Sequence, residues 1–492
     1  TINGIIYFNN NGSAGIYFGE NGGQTYLSNS AAVGSFGFVD GELSLANLTS
    51  DASIFLNFLS NSASLFLGPG SVFNGDITAY SPRLFLNGAT YNAESDLRKT
   101  GASNDFSEGG NLFSAGFNTA IYNNGTGDLV LGNVNPDVFH SNVSFINESP
   151  SSQLRIAENS TGNEFNGTTI LDNGTSQTAS SRAVHLCKEN SATLTINGII
   201  YFNNNGSAGI YFGENGGQTI INTSNFSTLS GYLGGTLSFK NSTFNQSTVL
   251  DFLTDDAILS FGPNTISNAP LSTNSPSLLL NGLTTHADAE FIKFGGLNDL
   301  SLGGNVFNSL VSYENVSTGN LNLAGSLNDT YSNEVTITTN STGNIDISHT
   351  ESAIANADLV FNSFNPLLFG SNNGQLHIIG NQIQEFTNLG TEIPIIHNIR
   401  MDKSTNDLTL NCPIHIGTSS EFINGKIVTS SLNYIQYLDN SIVSATFPAN
   451  NNSFVNGPVR KAGDDFFIFP IGKQDQYRPC AIENPSLITD VF

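Results

Sequence analysis

The stretch TINGIIYFNNNGSAGIYFGENGGQT occupies residues 1–25 and is repeated, letter for letter, at residues 195–219. The offset is 194 residues, and chance does not produce an identity of this length. The similarity continues without a gap, since Gly109-Gly110-Asn111 corresponds to Gly303-Gly304-Asn305. Two residues are then lost from the second copy before Thr318. The sequence therefore predicts two copies of one long repeat.

The composition favours strands and tight turns. Only 11% of the 492 residues are charged, where about 25% is typical of a soluble domain. Glycine contributes 50 residues and tryptophan is absent. Asn, Gly, Ser and Thr are poor helix formers, and the apolar residues are mostly Ile, Leu, Val and Phe. This mixture predicts an all-β fold with many short strands.

Short apolar dyads recur inside each copy, with one residue between the two apolar positions. Examples are Leu43/Leu45, Leu65/Leu67, Leu84/Leu86, Leu129/Leu131 and Leu154/Ile156. A period of two is typical of a strand with one buried face. Spacings of about ten to twenty residues predict a parallel β-helix (β-solenoid) with two or three strands per coil. One copy would then hold roughly nine coils of about 20 residues, and two copies a rod near 90 Å long.

Near residue 390 the Asn-Gly punctuation becomes sparser while strand-like stretches continue, which predicts further coils and a cap of the solenoid. We expect a second, structurally different domain at the end of the chain, because turn and strand signals reappear there with several basic residues. The predicted boundaries are 1–194 for the first solenoid copy, 195–388 for the second, 389–452 for further coils and a cap, and 453–492 for the start of a β-sandwich-like domain. Since the identical block starts at residue 1, more repeats are expected ahead of it.

Charge and cysteine content exclude several classes of function. The formal net charge is −25, from 40 acidic and 15 basic residues. So few Lys and Arg residues cannot neutralise phosphates, which argues against nucleic acid and anionic membranes as partners. Cys187, Cys412 and Cys480 are too few and too scattered for a disulfide framework or a zinc site. No stretch has the length of apolar sequence that a membrane span needs.

An enzyme is the main rival interpretation, because parallel β-helices often carry polysaccharide lyases and hydrolases. The adjacent carboxylates Asp255-Asp256 and Asp464-Asp465 would point to opposite faces of a strand. The only mixed cluster of reactive types, formed by His185 with Cys187 and Arg182, lacks a third orienting group. We therefore predict no enzymatic activity and no catalytic, cofactor-binding or metal-ligating residue.

Two binding hypotheses stay open at this stage. Glu20 and Glu214 lie in Gly-Asn loops and offer oxygen ligands for a structural calcium ion, although no cofactor is otherwise expected. Aromatic residues on adjacent coils offer stacking surfaces for sugars. The residues concerned are Tyr7, Phe8, Tyr17 and Phe18, which recur as Tyr201, Phe202, Tyr211 and Phe212. At strand alternation one of each pair faces the core, and this is expected of the Phe residues.

A resemblance to a known group of proteins rests on the C-terminal run. FVNGPVRK at 454–461, FPIGK at 469–473 and YRP at 477–479 resemble a segment found near the C-terminus of very large, repetitive cell-surface proteins of the Bacteroidota. The repeat body is similar too, for example GGNLF at 109–113 and GNEFNG at 162–167. The resemblance implies export by the type IX secretion system, location on the outer cell surface or outside the cell, and a role in adhesion or gliding motility.

These observations together predict a non-enzymatic extracellular repeat stalk or adhesin that extends from the bacterial surface and mediates attachment. The alternative is a β-helix protein that binds or degrades polysaccharide. A third interpretation is a filament that self-associates end to end. The expected partners are a surface polysaccharide or other extracellular ligand and, by resemblance, outer-membrane secretion and anchoring machinery.

Overall fold

The structure, a computed structural model, shows that the predicted β-solenoid is correct. It describes all residues except 30–32, 36–39, 59, 150, 175–181, 205–207, 225, 227–231, 233, 255, 366 and 484–486. The described residues contain no α-helix, and a single 3-10 turn lies at Glu20–Gly22. Parallel strands stack into about 19 turns of solenoid, called coils below. The chain divides into two compact units, Thr1–Leu259 (unit 1) and Ser260–Phe492 (unit 2).

In unit 1 the chain passes through up to three described strands per coil, and these strands define a first, second and third face. The first-face strands are Ile6–Phe8, Val33–Ser35, Ile54–Asn57, Ile77–Ser81, Ser95–Lys99, Asn118–Asn123, Asn142–Asn147, Thr169–Asp172, Ile200–Asn203 and Thr248–Asp251. The second-face strands are Ile16–Phe18, Glu42–Leu45, Ser64–Leu67, Arg83–Leu86, Asp105–Phe106, Leu129–Val130, Gln153–Ile156, Ala183–Leu186, Ile210–Phe212, Gly235–Phe239 and Ala257–Phe261. The third-face strands are Thr25–Leu27, Leu48–Ser50, Val72–Phe73, Thr90–Tyr91, Leu112–Phe113, Val138–Phe139, Asn163–Phe165, Thr193–Ile196, Gln218–Ile221 and Ser242–Phe244.

Unit 2 has the same three faces. Its first-face strands are Leu271–Ser275, Ala289–Lys293, Val311–Asn315, Val335–Thr339, Leu359–Ser363, Gln384–Asn388, Leu408–Leu410, Ile427–Val428, Val455–Asn456 and Ile471–Lys473. Its second-face strands are Ser277–Leu280, Asp299–Leu300, Leu321–Asn322, Ile345–Asp346, Leu368–Phe369, Ile435–Tyr437 and Val459–Lys461. Its third-face strands are Thr265–Ser267, Leu283–Thr285, Val306–Phe307, Asp329–Tyr331, Ser352–Ala355, Gln375–Gly380 and Ile442–Val443. Two longer strands, Ile395–Lys403 and Ile414–Asn424, run from the second face into the third.

The coils are longer and less regular than the sequence predicts. Paired residues on the first face are 18 positions apart for Ile77 and Ser95, and 31 apart for Thr169 and Ile200. The identical blocks supply the first and ninth strands of one parallel sheet, so one 194-residue period makes eight coils rather than nine. Three strands and three corners need more residues than the expected coil allowed.

The expected β-sandwich at 453–492 is not confirmed. Val455 pairs in parallel with Ile427 on one side and with Ile471 on the other, so the solenoid continues into this segment. Two antiparallel pairings then appear. Phe467–Phe469 pairs with Cys480–Ile482, and Ile471–Lys473 pairs with Gln476–Tyr477. The turn signals in this region therefore mark a terminal hairpin arrangement.

The core consists of the inward residues of every strand, stacked from coil to coil. On the third face of unit 1 the rings of Tyr91, Phe113 and Phe139 lie parallel, with centroids 4.4 Å apart at both steps. Each of the three is 1% exposed. Aromatic rings in this offset-parallel arrangement contribute about 0.5–1.5 kcal/mol beyond the area that they bury. Stacked rings thus stabilise the in-register pairing of successive coils.

Buried asparagines form a second internal ladder, at the corner after the first face. Asn147 Nδ2 donates to Asn173 Oδ1 at 3.2 Å, and Asn173 Nδ2 donates to Asn204 Oδ1 at 2.9 Å. All three residues are fully buried. An outer ladder follows the third face, where Asn197 links Asn166 to Asn222 through 2.7 and 2.9 Å hydrogen bonds. The Asn richness therefore supplies hydrogen bonds along the stack, because a carboxamide both donates and accepts.

The Gly-Gly-Asn motif forms a buried corner that joins three coils. Asn111 Oδ1 accepts hydrogen bonds from the backbone N–H groups of Gly88 and Ala89, while Nδ2 donates to the Leu86 carbonyl and to Asp137 Oδ1. Asn305 repeats this pattern with Gly282, Leu283, Leu280 and Asp329. The motif is repeated because a buried carboxamide and carboxyl must satisfy each other.

The first glycine of the Gly-Gly-Asn motif adopts a left-handed backbone in both copies. Gly109 and Gly303 have φ values of 84° and 89°. A Cβ on Gly109 would lie 2.1 Å from the Asn135 carbonyl oxygen, and one on Gly303 would lie 2.1 Å from the Leu327 carbonyl oxygen. Only glycine allows this close approach of one coil to the next.

Each copy also buries an ion pair at equivalent positions. Lys99 Nζ lies 3.9 Å from Asp105 Oδ2, and Lys293 Nζ lies 3.1 Å from Asp299 Oδ2. All four side chains are 0–2% exposed. Both lysines also donate to backbone carbonyls. Because removal of one partner would leave a buried charge, each pair is fixed in its coil.

Replacement of Phe113 by alanine is expected to lower the free energy of unfolding by about 3–5 kcal/mol, because it leaves a cavity between two stacked rings. Chemical denaturation followed by circular dichroism measures the change. Phe106→Ala in the same unit is the control, because Phe106 is 51% exposed, and its effect should stay within about 0.5 kcal/mol. Equal effects of both variants would contradict the stacked core.

The two buried corner carboxyls should make the fold less stable as pH rises. Burial raises the pKa of Asp137 to about 6 and that of Asp329 to about 7. Since the folded state binds these protons more tightly than the unfolded state, the stabilisation is complete below the ordinary Asp pKa. It declines as pH rises through the two folded-state values.

The Asp137→Asn, Asp329→Asn double variant should therefore lose this part of the pH dependence, because an isosteric amide keeps Oδ1 as the acceptor for the corner Asn. Denaturation midpoints from about pH 4 to about pH 8 measure the difference from the wild-type chain. Asp256→Asn is the control, because Asp256 is exposed. An unchanged wild-type slope in the double variant would show that the corner carboxyls are not responsible.

Candidate binding surface

The repeated aromatic pairs alternate between core and surface as predicted. Phe8 and Phe202 are 4% exposed and Phe212 is fully buried, whereas Tyr7 and Tyr201 are 68% and 40% exposed. The two identical blocks differ in exposure because a preceding coil covers the second one within the described part of the chain. The outward tyrosines Tyr7 and Tyr201 lie on the first and ninth strands of the first face of unit 1.

On the strands between them lies an outward cluster, here called the aromatic–arginine surface. It consists of Phe55, Tyr80, Asp96, Arg98 and Tyr122. All five point outward because each occupies an exposed or half-buried position between buried neighbours on its strand. Parallel pairing aligns Tyr80 with Arg98, and Arg98 with Tyr122, on three successive coils.

Arg98 is held between two tyrosine rings. Its guanidinium carbon lies 3.9 Å from the Tyr122 ring centroid and 5.0 Å from that of Tyr80. Asp96 accepts two hydrogen bonds from Arg98, from Nε at 2.8 Å and from Nη2 at 2.9 Å. The hydrogen bond with Asp96 raises the pKa of Arg98. A cation fixed by two rings and a bidentate carboxylate is rigid at low cost in side-chain entropy.

Phe55 lies beside this stack and exposes its ring. Its centroid is 6.1 Å from that of Tyr80, with an interplanar angle of 85°. The side chain is 51% exposed. The surface thus combines an accessible aromatic platform with a row of polar groups, the arrangement that recognises ligands with one apolar face and several hydroxyl groups.

The second copy of the repeat does not retain this surface. Strand pairing places Asn274, Ile292 and Glu314 where the first copy has Tyr80, Arg98 and Tyr122. The positions equivalent to Phe55 and Asp96 hold Val249 and Glu290. The inward residues of Ile77–Ser81 and Leu271–Ser275 are apolar or small in both copies. The solenoid therefore does not require the aromatic–arginine surface for its own packing.

Of the acidic pairs singled out from the sequence, Asp255 lies outside the described residues and Asp256 is exposed. Asp465 lies 2.9 Å from Lys461 Nζ, and Asp464 is exposed. Partial burial works against ionisation of Asp465, but Lys461 outweighs it, so the pKa of Asp465 is lowered. Asp439 joins this group, with its carboxylate oxygens within 4.8 Å of the other two. Lys461 already supplies the compensating charge.

The two glutamates considered for calcium are in different surroundings. Glu20 is exposed. Glu214 Oε2 lies 2.7 Å from His185 Nδ1, and the imidazole stacks on Tyr211 with ring centroids 5.3 Å apart. The hydrogen bond with His185 lowers the pKa of Glu214. In the described residues these glutamates do not join other acidic side chains in a cluster able to hold a metal ion.

The residues of the predicted His-Cys-Arg cluster each have a separate structural partner. Cys187 is fully buried and donates to the Gln218 carbonyl at 3.1 Å. Burial raises the pKa of this thiol to about 12, so it is not a nucleophile near neutral pH. Arg182 is 1% exposed and donates to the Asn173 carbonyl. These contacts give the cluster a packing role.

A serine, a histidine and an aspartate that the sequence analysis missed converge in unit 2. Ser371 Oγ lies 2.6 Å from Asp346 Oδ2 and 3.3 Å from His349 Nδ1. Asp346 Oδ2 contacts the same imidazole nitrogen at 3.3 Å. A nucleophilic triad needs the serine and the carboxylate on opposite nitrogens of the ring. Here both use Nδ1, so His349 is not placed to accept the Ser371 proton and pass it on.

No protein-family model, curated protein or solved structure matches this chain. Within the described residues, no helix is long and apolar enough to cross a membrane.

Proposed function

We propose that this chain is a non-enzymatic extracellular repeat stalk or adhesin that extends from the bacterial cell surface and mediates attachment. The observation that carries the proposal is the identity of residues 1–25 and 195–219, which form the first and ninth strands of one parallel sheet in unit 1. One 194-residue repeat therefore adds eight coils to the stack. It adds length and lateral surface, which is what a spacer requires.

The outer surface supports the same proposal. The outer ladder of Asn side chains gives the solenoid a neutral polar surface along the third face. The acidic excess opposes self-association of neighbouring molecules. Export by a type IX route, anchoring by outer-membrane machinery and a part in gliding motility belong to the proposal through the resemblance of the C-terminal run. Attachment requires a ligand surface, for which unit 1 offers the aromatic–arginine surface.

Polysaccharide degradation is the alternative, and the contacts of the reactive residues weigh against it. The Ser371–His349–Asp346 group shares one imidazole nitrogen. Asp465 is paired with Lys461, which leaves it poorly suited to accept a proton from a sugar carbon or hydroxyl. Polysaccharide binding without cleavage is compatible with the stalk.

Insertion of a second copy of residues 1–194 after Leu194 tests the spacer function directly. Both junctions keep the native sequence, because Thr1 and Thr195 begin the same 25-residue block. The variant should add eight strand spacings, about 38 Å, to the length of the particle without a change in its thickness. Small-angle scattering and negative-stain electron microscopy measure both dimensions.

Deletion of residues 1–194 is the matched control, since it should remove the same length and leave the same starting sequence. A particle that grows equally in all directions on insertion would contradict the stalk. Attachment is measured separately, by retention of protein-coated beads on a polysaccharide-coated surface under flow. Beads coated with the heat-unfolded chain provide the reference.

A further inference from the structure

The aromatic–arginine surface has an architecture that neither the core nor the repeat explains. It is confined to the first copy, although the second copy has the same strands at the same positions. An ion pair of Arg98 and Asp96, whose side chains are each 31% exposed, contributes little to stability at a surface. The exposed Phe55 ring beside this ion pair contributes less to the stability of the fold than a buried ring would. These residues are therefore arranged for an external contact.

We propose that the aromatic–arginine surface is a binding site for a neutral polysaccharide with a β-1,4-linked pyranose backbone, a step that rests on the proposed adhesive function. Backbones of this type present a flat face of axial C–H groups edged by hydroxyl groups, which are all equatorial in glucose and equatorial except at O2 in mannose. The C–H face suits an aromatic platform, and the hydroxyl groups need hydrogen-bond donors and acceptors along the platform's edge.

Phe55 provides the platform. Its ring is half exposed and stands at 85° to the ring of Tyr80, so the two rings meet edge to face and are not stacked. Tyr80 and Tyr122 present instead the edges of rings whose faces are occupied by Arg98. A sugar ring stacked on Phe55 would therefore have the polar groups of residues on the neighbouring coils, such as Tyr80, beside it.

Asp96 and Arg98 provide the hydrogen bonds. A guanidinium group has five N–H donors, of which Nε and Nη2 each donate to Asp96. Both side chains are 31% exposed, so their remaining donors and acceptors are available to a ligand. Since the two rings fix the guanidinium before any ligand arrives, little ordering cost is left for binding.

The charge of the site selects against acidic polysaccharides. Arg98 and Asp96 cancel each other within hydrogen-bond distance, and the chain as a whole carries a net charge of −25. A polyuronate would meet a repulsive potential with no unpaired cation at the site to offset it. A neutral chain has no such penalty.

Binding of the purified full chain to hydroxyethyl cellulose, galactomannan and xyloglucan, with polygalacturonate as the acidic comparison, tests the proposal. Affinity electrophoresis and titration calorimetry measure the affinities. We expect binding to at least one neutral polymer and none to polygalacturonate. Phe55→Ala should weaken that binding about tenfold. The Tyr80→Phe, Tyr122→Phe double variant keeps the stack and should weaken it by a smaller factor.

Phe106→Ala is the matched control, because Phe106 lies on the second face of the same unit and is 51% exposed, as is Phe55. It should leave the affinity unchanged. Circular dichroism and thermal unfolding establish that each variant is folded. If wild-type chain binds a neutral polymer but Phe55→Ala binds equally well, the site is wrong and the adhesive function stands.

Three other results would overturn the proposal. Binding of polygalacturonate alone would contradict the ligand class. If the chain bound none of these polymers, a polysaccharide would be excluded as the ligand of this surface. The insertion experiment would still test the spacer function independently. Concentration-dependent dimers in sedimentation that Phe55→Ala abolishes would show that a second copy of this chain occupies the surface.

Discussion

Parallel, in-register pairing of successive coils is the interaction on which the rest of this structure depends. A single coil of three short strands cannot bury its apolar residues, and its backbone groups have partners only in the coils before and after it. Pairing places equivalent side chains one above the other at the strand spacing of about 4.8 Å. The rings of Tyr91, Phe113 and Phe139 and the carboxamides of Asn147 and Asn173 stack for this reason.

The same constraint determines where polar groups can be buried. A buried Asn or Asp is stable in this fold only if the next coil presents a complementary group at the same height. Asn111 with Asp137, and Asn305 with Asp329, satisfy this condition at matching positions of the two copies. The raised pKa of each buried carboxyl is the electrostatic cost of that arrangement. These corners fix which coil pairs with which, a specificity that apolar stacking alone does not give.

Outward positions are free of the constraint, and the two copies differ there. Tyr80, Arg98 and Tyr122 correspond to Asn274, Ile292 and Glu314, although the strands beneath them pair in the same way. The two copies thus share the pairing of their strands and differ in their outward side chains. This separation of strand pairing from outward side chains is the physical basis for combining a spacer and a ligand surface in one chain.

The sequence by itself determined the 194-residue period, the period-two alternation and the all-β solenoid, because these depend on local composition and repetition. It also determined that Phe8 and Phe202 face inward while Tyr7 and Tyr201 face outward. Only the tertiary structure decided which residues lie one above the other on successive coils, because coil length varies from 16 to 31 residues with the size of the corners. Arg98 meets Tyr80 at a separation of 18 and Tyr122 at a separation of 24, and no fixed spacing predicts both. For the same reason the continuation of the solenoid through Val455 was decided by contacts between coils.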